Sequence, residues 1–86
     1  MWNYRVIKKK LEEPRHEETF YIHEVYYNKN KEIVAMSEEP MYPFGETVDE
    51  LMSDLNHMMK AFTREILDYG TIEFAKADWN KEDEEE

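Results

Sequence analysis

The 86-residue sequence contains no cysteine, two glycines and three prolines. Without cysteine the chain cannot form disulfides, thiolate metal sites or a thiol nucleophile. Two glycines are too few for a glycine-rich phosphate loop, and no dinucleotide-binding or serine-hydrolase motif is present. The length allows one domain of modest size. We therefore expect a single domain that is not an enzyme, with no catalytic residues, no cofactor and no metal.

Basic residues are also scarce, with 11 Lys and Arg against 21 Asp and Glu and a formal net charge of −10. Nucleic-acid binding depends on Lys and Arg that neutralise phosphates, and anionic membranes attract basic segments. The balance therefore argues against nucleic acid and membranes as direct partners. No run approaches the about 20 apolar residues of a transmembrane helix. Because the N-terminus also lacks the charge order of a signal peptide, we expect a cytoplasmic location.

The acidic residues are concentrated at the C-terminus. Residues 80–86 carry five acids, one lysine and no apolar side chain. Such a segment buries no apolar surface that could offset the entropy of ordering it. The sequence therefore predicts one α+β domain over residues 1–79 and a disordered acidic tail over residues 80–86. Without the tail, 16 acids and 10 cations remain, a net charge of −6.

Aromatic residues make up 14% of the chain and cluster with β-branched residues in segments that alternate like strands. The alternation predicts strands over residues 2–8, 19–27 and 32–37. The Asn-Lys-Asn-Lys run at residues 28–31 is typical of a tight turn, so the second and third strands should form an antiparallel hairpin. Residues 71–79 alternate weakly and are predicted to be either a fourth short strand or an extended segment on the core.

A long amphipathic helix is predicted over residues 48–68. Thr47 and Glu50 match a capping box, in which the Thr47 hydroxyl accepts from the Glu50 amide and the Glu50 carboxylate accepts from the Thr47 amide. Gly70 is predicted to end the helix. The apolar residues at helical spacing, which should face the sheet, are Val48, Leu51, Met52, Leu55, Met58, Met59, Phe62, Ile66 and Tyr69.

These elements predict an α+β fold, a two-layer sandwich with one long helix on an antiparallel sheet, in the order β-β-β-α-(β). The sheet is expected to have three strands, or four if residues 71–79 join it. One helix covers only one face of a sheet. Apolar residues on the other face should therefore contact a second copy or a protein partner.

The helix start at residues 45–51 (Gly-Glu-Thr-Val-Asp-Glu-Leu) resembles the Gly-(Asp/Glu)-Thr-x-x-Glu-Ala run of HicB-like antitoxin domains. The chain is also similar to short bacterial proteins that carry an Ile-His-Glu-Val-Tyr-Tyr strand and have no assigned activity. The resemblance implies a partial RNase H-like fold and an antitoxin or inhibitory protein that neutralises a basic protein partner. Residues 38–44 replace the family's Pro-Asp-Leu-Pro-Gly-Cys-type segment. Acidic residues stand where the family has a DNA-binding extension, so operator binding is not implied.

The leading prediction is a non-enzymatic protein-interaction domain that self-associates as a homodimer. Exposed aromatic and methionine side chains mark recognition surfaces more often than catalytic sites. Met41 and Phe44 lie in the segment that connects the third strand to the helix. The alternative for these residues is that they cover the end of the sheet and fix the entry to the helix. The predicted interaction surface consists of Tyr21, Tyr27, Met41, Tyr42 and Phe44.

One histidine of the predicted helix suggests a third interpretation. Asp54 and His57 lie three residues apart on the predicted helix and resemble half of a helical carboxylate metal site. A small metal protein or enzyme could rest on them, although a solvated helix face is the reading that we favour. His23 is predicted to face water or an adjacent strand.

Overall fold

The chain has an α+β fold in the computed structural model, which describes residues 1–11 and 17–76, with Leu11 described by its backbone alone. The predicted disordered tail at residues 80–86 lies outside the described residues. One helix and one four-stranded sheet form the architecture. The fold class is confirmed, but the sheet is mixed and not wholly antiparallel.

Four strands lie in the order β3-β2-β1-β4 across the sheet. β1 and β3 both pair antiparallel with β2, whereas β4 pairs parallel with β1. Their bounds are β1 at Trp2–Leu11, β2 at Glu17–Tyr27, β3 at Ile33–Met36 and β4 at Leu67–Asp68. The first two strands are therefore longer than predicted, and the fourth lies before Gly70 instead of over residues 71–79.

Asn28 organises the turn between β2 and β3. Its side-chain oxygen accepts hydrogen bonds from the amides of Asn30 and Glu32, each at 2.9 Å. The left-handed backbone conformation falls on Lys31, with φ 66°. The predicted hairpin is confirmed. The asparagine contributes through its side chain, because an Asx turn satisfies the loop amides that no strand partner reaches.

The helix, α1 (Val48–Met59), begins at the predicted cap. The Thr47 hydroxyl accepts from the Glu50 amide at 3.0 Å, as expected. The Glu50 carboxylate accepts from the Glu46 amide at 2.9 Å and not from the Thr47 amide. Both bonds satisfy backbone donors that have no partner at the start of a helix.

The predicted end of the helix at residue 68 is wrong. A 3-10 helix at Lys60–Thr63 follows α1, and Arg64 is extended with φ −114° and ψ 163°. The Lys60 carbonyl accepts from the Thr63 hydroxyl at 2.7 Å and from the Arg64 guanidinium at 2.9 Å, so side chains satisfy it. Leu67 then pairs with Ile7 of β1. Strand pairing at the free edge of β1 therefore overrides the helical periodicity.

One face of the sheet packs against the end of α1. Tyr4 and Val6 of β1 are buried against Met58 of α1 and Ala61 of the 3-10 helix. Because side chains alternate along a strand, these two β1 residues share one face, and Ile7 lies on the other.

The other face of the sheet is also covered. Ile7, His23 and Val25 are completely buried there. The chain after β4 runs over this side as a 3-10 turn at Tyr69–Thr71 and an extended segment, whose Ala75 amide donates to the Ile33 carbonyl at 2.7 Å. Of the residues predicted as a fourth strand at 71–79, Thr71 ends the 3-10 turn and residues 72–76 lie in no strand, which leaves the predicted extended segment. The expectation of an uncovered apolar sheet face is wrong.

His23 is a buried polar residue of this second face and does not face water. Its Nδ1 lies 3.0 Å from the Ser37 carbonyl and 3.1 Å from the Ser37 hydroxyl. Its Nε2 is buried and has no hydrogen-bond partner among residues 1–11 and 17–76. Burial lowers the pKa of the imidazole below its ordinary value of 6.5, with a smaller lowering from the charge of Lys9, while the bond to Ser37 opposes the shift.

The buried histidine predicts acid sensitivity. The folded state binds the His23 proton less readily than the unfolded chain, so this contribution to stability is complete above pH 6.5 and declines as pH falls below it. The free energy of unfolding should fall by up to about 1.4 kcal/mol per pH unit from this group. Urea unfolding of His23→Gln between pH 7 and 5 should show a flatter slope than the wild type. The control is His57→Gln, which removes an exposed imidazole; equal slopes in wild type and His23→Gln would contradict this prediction.

The glycine before the helix cap predicts a steric effect. A Cβ on Gly45 would lie 2.6 Å from the Glu50 carbonyl carbon and would also meet the Leu51 nitrogen, so the first turn would have to move. Gly45→Ala should therefore lower the free energy of unfolding by about 1–3 kcal/mol. Gly70→Ala is the matched control, because its Cβ would meet only the Asp68 carboxylate at an ordinary 3.5 Å. Equal losses in both variants, measured by urea unfolding, would show that this contact does not constrain Gly45.

Candidate interaction surface

The largest apolar feature of the surface lies on the helix. Six apolar side chains of α1 and the following 3-10 helix are exposed, from 74% for Val48 to 41% for Leu51. We name them the α1 stripe, and its members are Val48, Leu51, Met52, Leu55, Met59 and Phe62. No helix in the described part of the chain is long and apolar enough to cross a membrane. The stripe is thus an apolar side of a short helix that faces solvent.

The direction of the α1 stripe follows from how the helix meets the sheet. Met58 is the one buried residue of α1, at 2% exposure, while its neighbour Met59 is 53% exposed. At 3.6 residues per turn, Met58, Asp54 and Ala61 lie on one flank of the helix. That flank contacts the sheet, and so the stripe beside it points away. The prediction that these apolar residues face the sheet is therefore wrong for all six members of the stripe.

A polar contact also holds this flank of α1, in addition to the packing of Met58. The Asp54 carboxylate accepts a hydrogen bond from the Phe44 amide at 2.9 Å. This bond attaches the segment before the helix to its middle. It also gives Asp54 a structural partner, and the structure describes no group of three or more His, Asp or Glu residues that could hold a metal ion within residues 1–11 and 17–76.

Two members of the predicted interaction surface lie close to the start of α1. Tyr42 is 75% exposed and Phe44 is 66% exposed. The hydrogen bond between Phe44 and Asp54 places this segment beside the helix. Tyr42 and Phe44 are therefore exposed next to α1, but the bond to Asp54 places the Phe44 backbone at the flank that contacts the sheet and not on the α1 stripe.

The other predicted surface residues lie elsewhere. Met41 packs partly buried against the core, and its amide donates to the Ile22 carbonyl at 2.8 Å. The Tyr27 hydroxyl donates to the Asn3 side chain at 2.8 Å and accepts from the Arg5 guanidinium at 2.9 Å. These two side chains therefore support the fold, and the five predicted residues do not form one surface.

Tyr21 lines a cleft at the far end of the β1–β2 pair. The ammonium of Lys9 lies 5.1 Å from the centre of the Tyr21 ring and 5.6 Å from that of Tyr69. The cleft has a volume of about 510 Å³ and is lined by Lys9, Lys10, Thr19, Tyr21, Asp68, Tyr69 and Gly70. Since two rings hold the Lys9 cation, this contact attaches the chain after β4 to the sheet.

Charge is divided along α1. Acidic residues, among them Asp49 and Glu50, occupy the first turn, whereas His57, Lys60 and Arg64 lie at or after its end. The ion pairs found between described residues join Lys8 to Glu18 and Asp68, and none involves α1. The charges beside the α1 stripe thus have no ionic partner within residues 1–11 and 17–76.

A scan of protein-family models, a search of curated proteins and a search of solved structures each found no match to this chain. The resemblance to HicB-like antitoxin domains therefore stays a prediction based on residues 45–51. The exposure of the α1 stripe, which that resemblance did not indicate, is a finding of the structure.

Proposed function

We propose that this chain is a non-enzymatic protein-interaction domain of the cytoplasm that self-associates through the α1 stripe. The single observation that carries the proposal is the exposure of six neighbouring apolar side chains on one side of a capped helix. Contiguous apolar patches of more than a few hundred Å² on a soluble protein mark interaction sites. A self-associating surface is covered when a second copy binds.

The arrangement of the core supports this proposal. Both faces of the sheet are covered by the chain itself, at Tyr4 and Val6 on one side and at Ile7 and Val25 on the other. Exposed apolar side chains remain on the sheet at Trp2, Phe20 and Tyr21, but the larger group is that of the α1 stripe. Burial of the stripe would stabilise an assembly without any rearrangement of the core, because Met58 already attaches α1 to the sheet.

The inhibitory protein that neutralises a basic partner is the second candidate. Exposed Glu46, Asp49 and Glu50 lie beside the exposed Val48 at the start of α1. An apolar surface with an acidic border would fit a basic helix of another protein, and such binding would weaken strongly as salt is added. A chain that is strictly monomeric and binds a basic protein in a salt-dependent manner would favour this role over self-association.

The proposed function predicts a loss of assembly in variants of the stripe. Light scattering after size exclusion should give the wild type twice the mass of the chain at micromolar concentrations. Leu55→Glu and Met59→Glu should each give the mass of one chain, because each places a carboxylate in an interface that must be dry. Far-ultraviolet circular dichroism should match the wild type, since both side chains are exposed in the single chain.

Ser53→Glu is the matched control for these variants. Ser53 is exposed on α1 but does not belong to the stripe, so the same charge added there should leave the mass of the assembly unchanged. Met58→Ala tests the other side of the helix, where removal of a buried methionine should cost about 2–5 kcal/mol of stability. A wild-type chain that stays monomeric at high concentration would refute self-association.

A further inference from the structure

The α1 stripe contains a regular spacing that specifies the shape of its partner. Val48, Met52, Leu55 and Met59 are separated by four, three and four residues, and Phe62 follows three residues later. This is the alternation of the a and d positions of a heptad, which places side chains along a narrow seam between two helices. Leu51, the remaining α1 residue of the stripe, lies beside this seam on the side of the buried flank. The seam itself has the spacing with which one helix packs against another, so we take a helix as the partner.

The spacing is also symmetric about the middle of α1. Read from either end of the helix, the four residues follow one another at intervals of four, three and four. A seam of this kind is complementary to a second copy of itself when the two helices run in opposite directions. An interface that pairs one surface with itself about a twofold axis is the commonest arrangement in homodimers.

We infer that α1 pairs with α1 of a second copy in antiparallel orientation, about a twofold axis through the middle of the helix. In this arrangement Val48 of one copy faces Met59 of the other, and Met52 faces Leu55. The two helices overlap over the whole range Val48–Met59. This inference rests on the proposed self-association and adds to it the orientation and the register.

The charges beside the seam fit the antiparallel orientation. Asp49 directly follows Val48 in the sequence, and Lys60 directly follows Met59. At 3.6 residues per turn, Asp49 and Lys60 lie on the same flank of the helix. Where Val48 of one copy faces Met59 of the other, Asp49 is therefore brought beside Lys60 of the second copy, and the twofold axis repeats the pair.

A parallel pair of the same helices would not form this ion pair. It would keep Asp49 of one copy about 16 Å along the axis from Lys60 of the other, and the aligned helix dipoles would repel one another. Neither Asp49 nor Lys60 has an ionic partner among the described residues, so both are available to pair across the interface. The electrostatics of α1 therefore favours the antiparallel orientation over the parallel one.

The area of the stripe is sufficient for a specific dimer. Its six side chains are roughly half exposed, which leaves on the order of 100 Å² on each. Two copies would bury at most about 1,200 Å² from the stripe, which reaches the lower end of stable specific interfaces.

Disulfide cross-linking tests the orientation, and the absence of natural cysteine makes each introduced thiol unique. Val48→Cys and Met59→Cys chains carry tags of different size and are mixed before oxidation. The antiparallel register predicts mixed disulfide dimers as the main product and little self-linking of either variant alone. The two positions are about 16 Å apart along one helix, far beyond the reach of a disulfide. A parallel pair would therefore give the reverse pattern.

The mass of each sample, measured by light scattering before oxidation, separates the two proposals. A dimer whose Val48→Cys chains link mainly to one another overturns the antiparallel inference and leaves self-association standing. A monomer under all conditions overturns self-association, and the antiparallel pair with it. Ser53→Cys, exposed outside the stripe, is the control for random collision. If the mixture of Val48→Cys and Met59→Cys forms no more disulfide dimer than Ser53→Cys does, the register is overturned.

Charge exchange gives a second measurement of the same inference. Asp49→Lys should weaken the dimer about fivefold, because two attractive pairs become repulsive in an exposed setting, and Lys60→Glu should do the same. The double variant Asp49→Lys, Lys60→Glu should return the dissociation constant to within about twofold of the wild type. Additive weakening in the double variant would overturn the proposed pairing of these two residues.

Discussion

The contact of Met58 and Ala61 with Tyr4 and Val6 determines the direction in which the rest of α1 points. It joins the end of the helix to the sheet through one flank, and Asp54 secures the same flank to the preceding segment. Once this flank is buried, helical geometry places the neighbouring apolar stripe toward solvent. The exposed surface is therefore a consequence of the core contact and not a separate feature.

β1 links this contact to the length of the helix. It pairs with β2 along one edge and with Leu67 and Asp68 along the other, and its side chains contribute to the cores on both faces of the sheet. Because Leu67 pairs with Ile7, the chain must leave the helix before this point. α1 is therefore twelve residues long, which is the length of the proposed symmetric seam from Val48 to Met59. Acidic residues lie at its start and basic residues at or after its end.

Local features were predictable from sequence because they depend on neighbouring residues. Thr47 caps the helix where the sequence indicates, and Asn28 forms the turn of the hairpin. The end of α1 was not predictable, since it depends on pairing between Ile7 and Leu67, which are far apart in the chain. Periodicity also failed to identify what covers the apolar stripe, because an amphipathic pattern shows that one side is apolar and not which partner it meets. The four-three-four spacing is the feature of the sequence on which the proposed helical partner rests.

Methyl nuclear magnetic resonance of the wild-type chain during dilution tests the central claim most directly. It reports separately on the exposed stripe, through Leu55 and Met59, and on the buried core, through Ile7 and Val25. The account predicts that the stripe signals shift with dilution along a two-state binding curve while the core signals stay fixed. Stripe signals that do not change with concentration, in a sample whose mass is that of one chain, would contradict it.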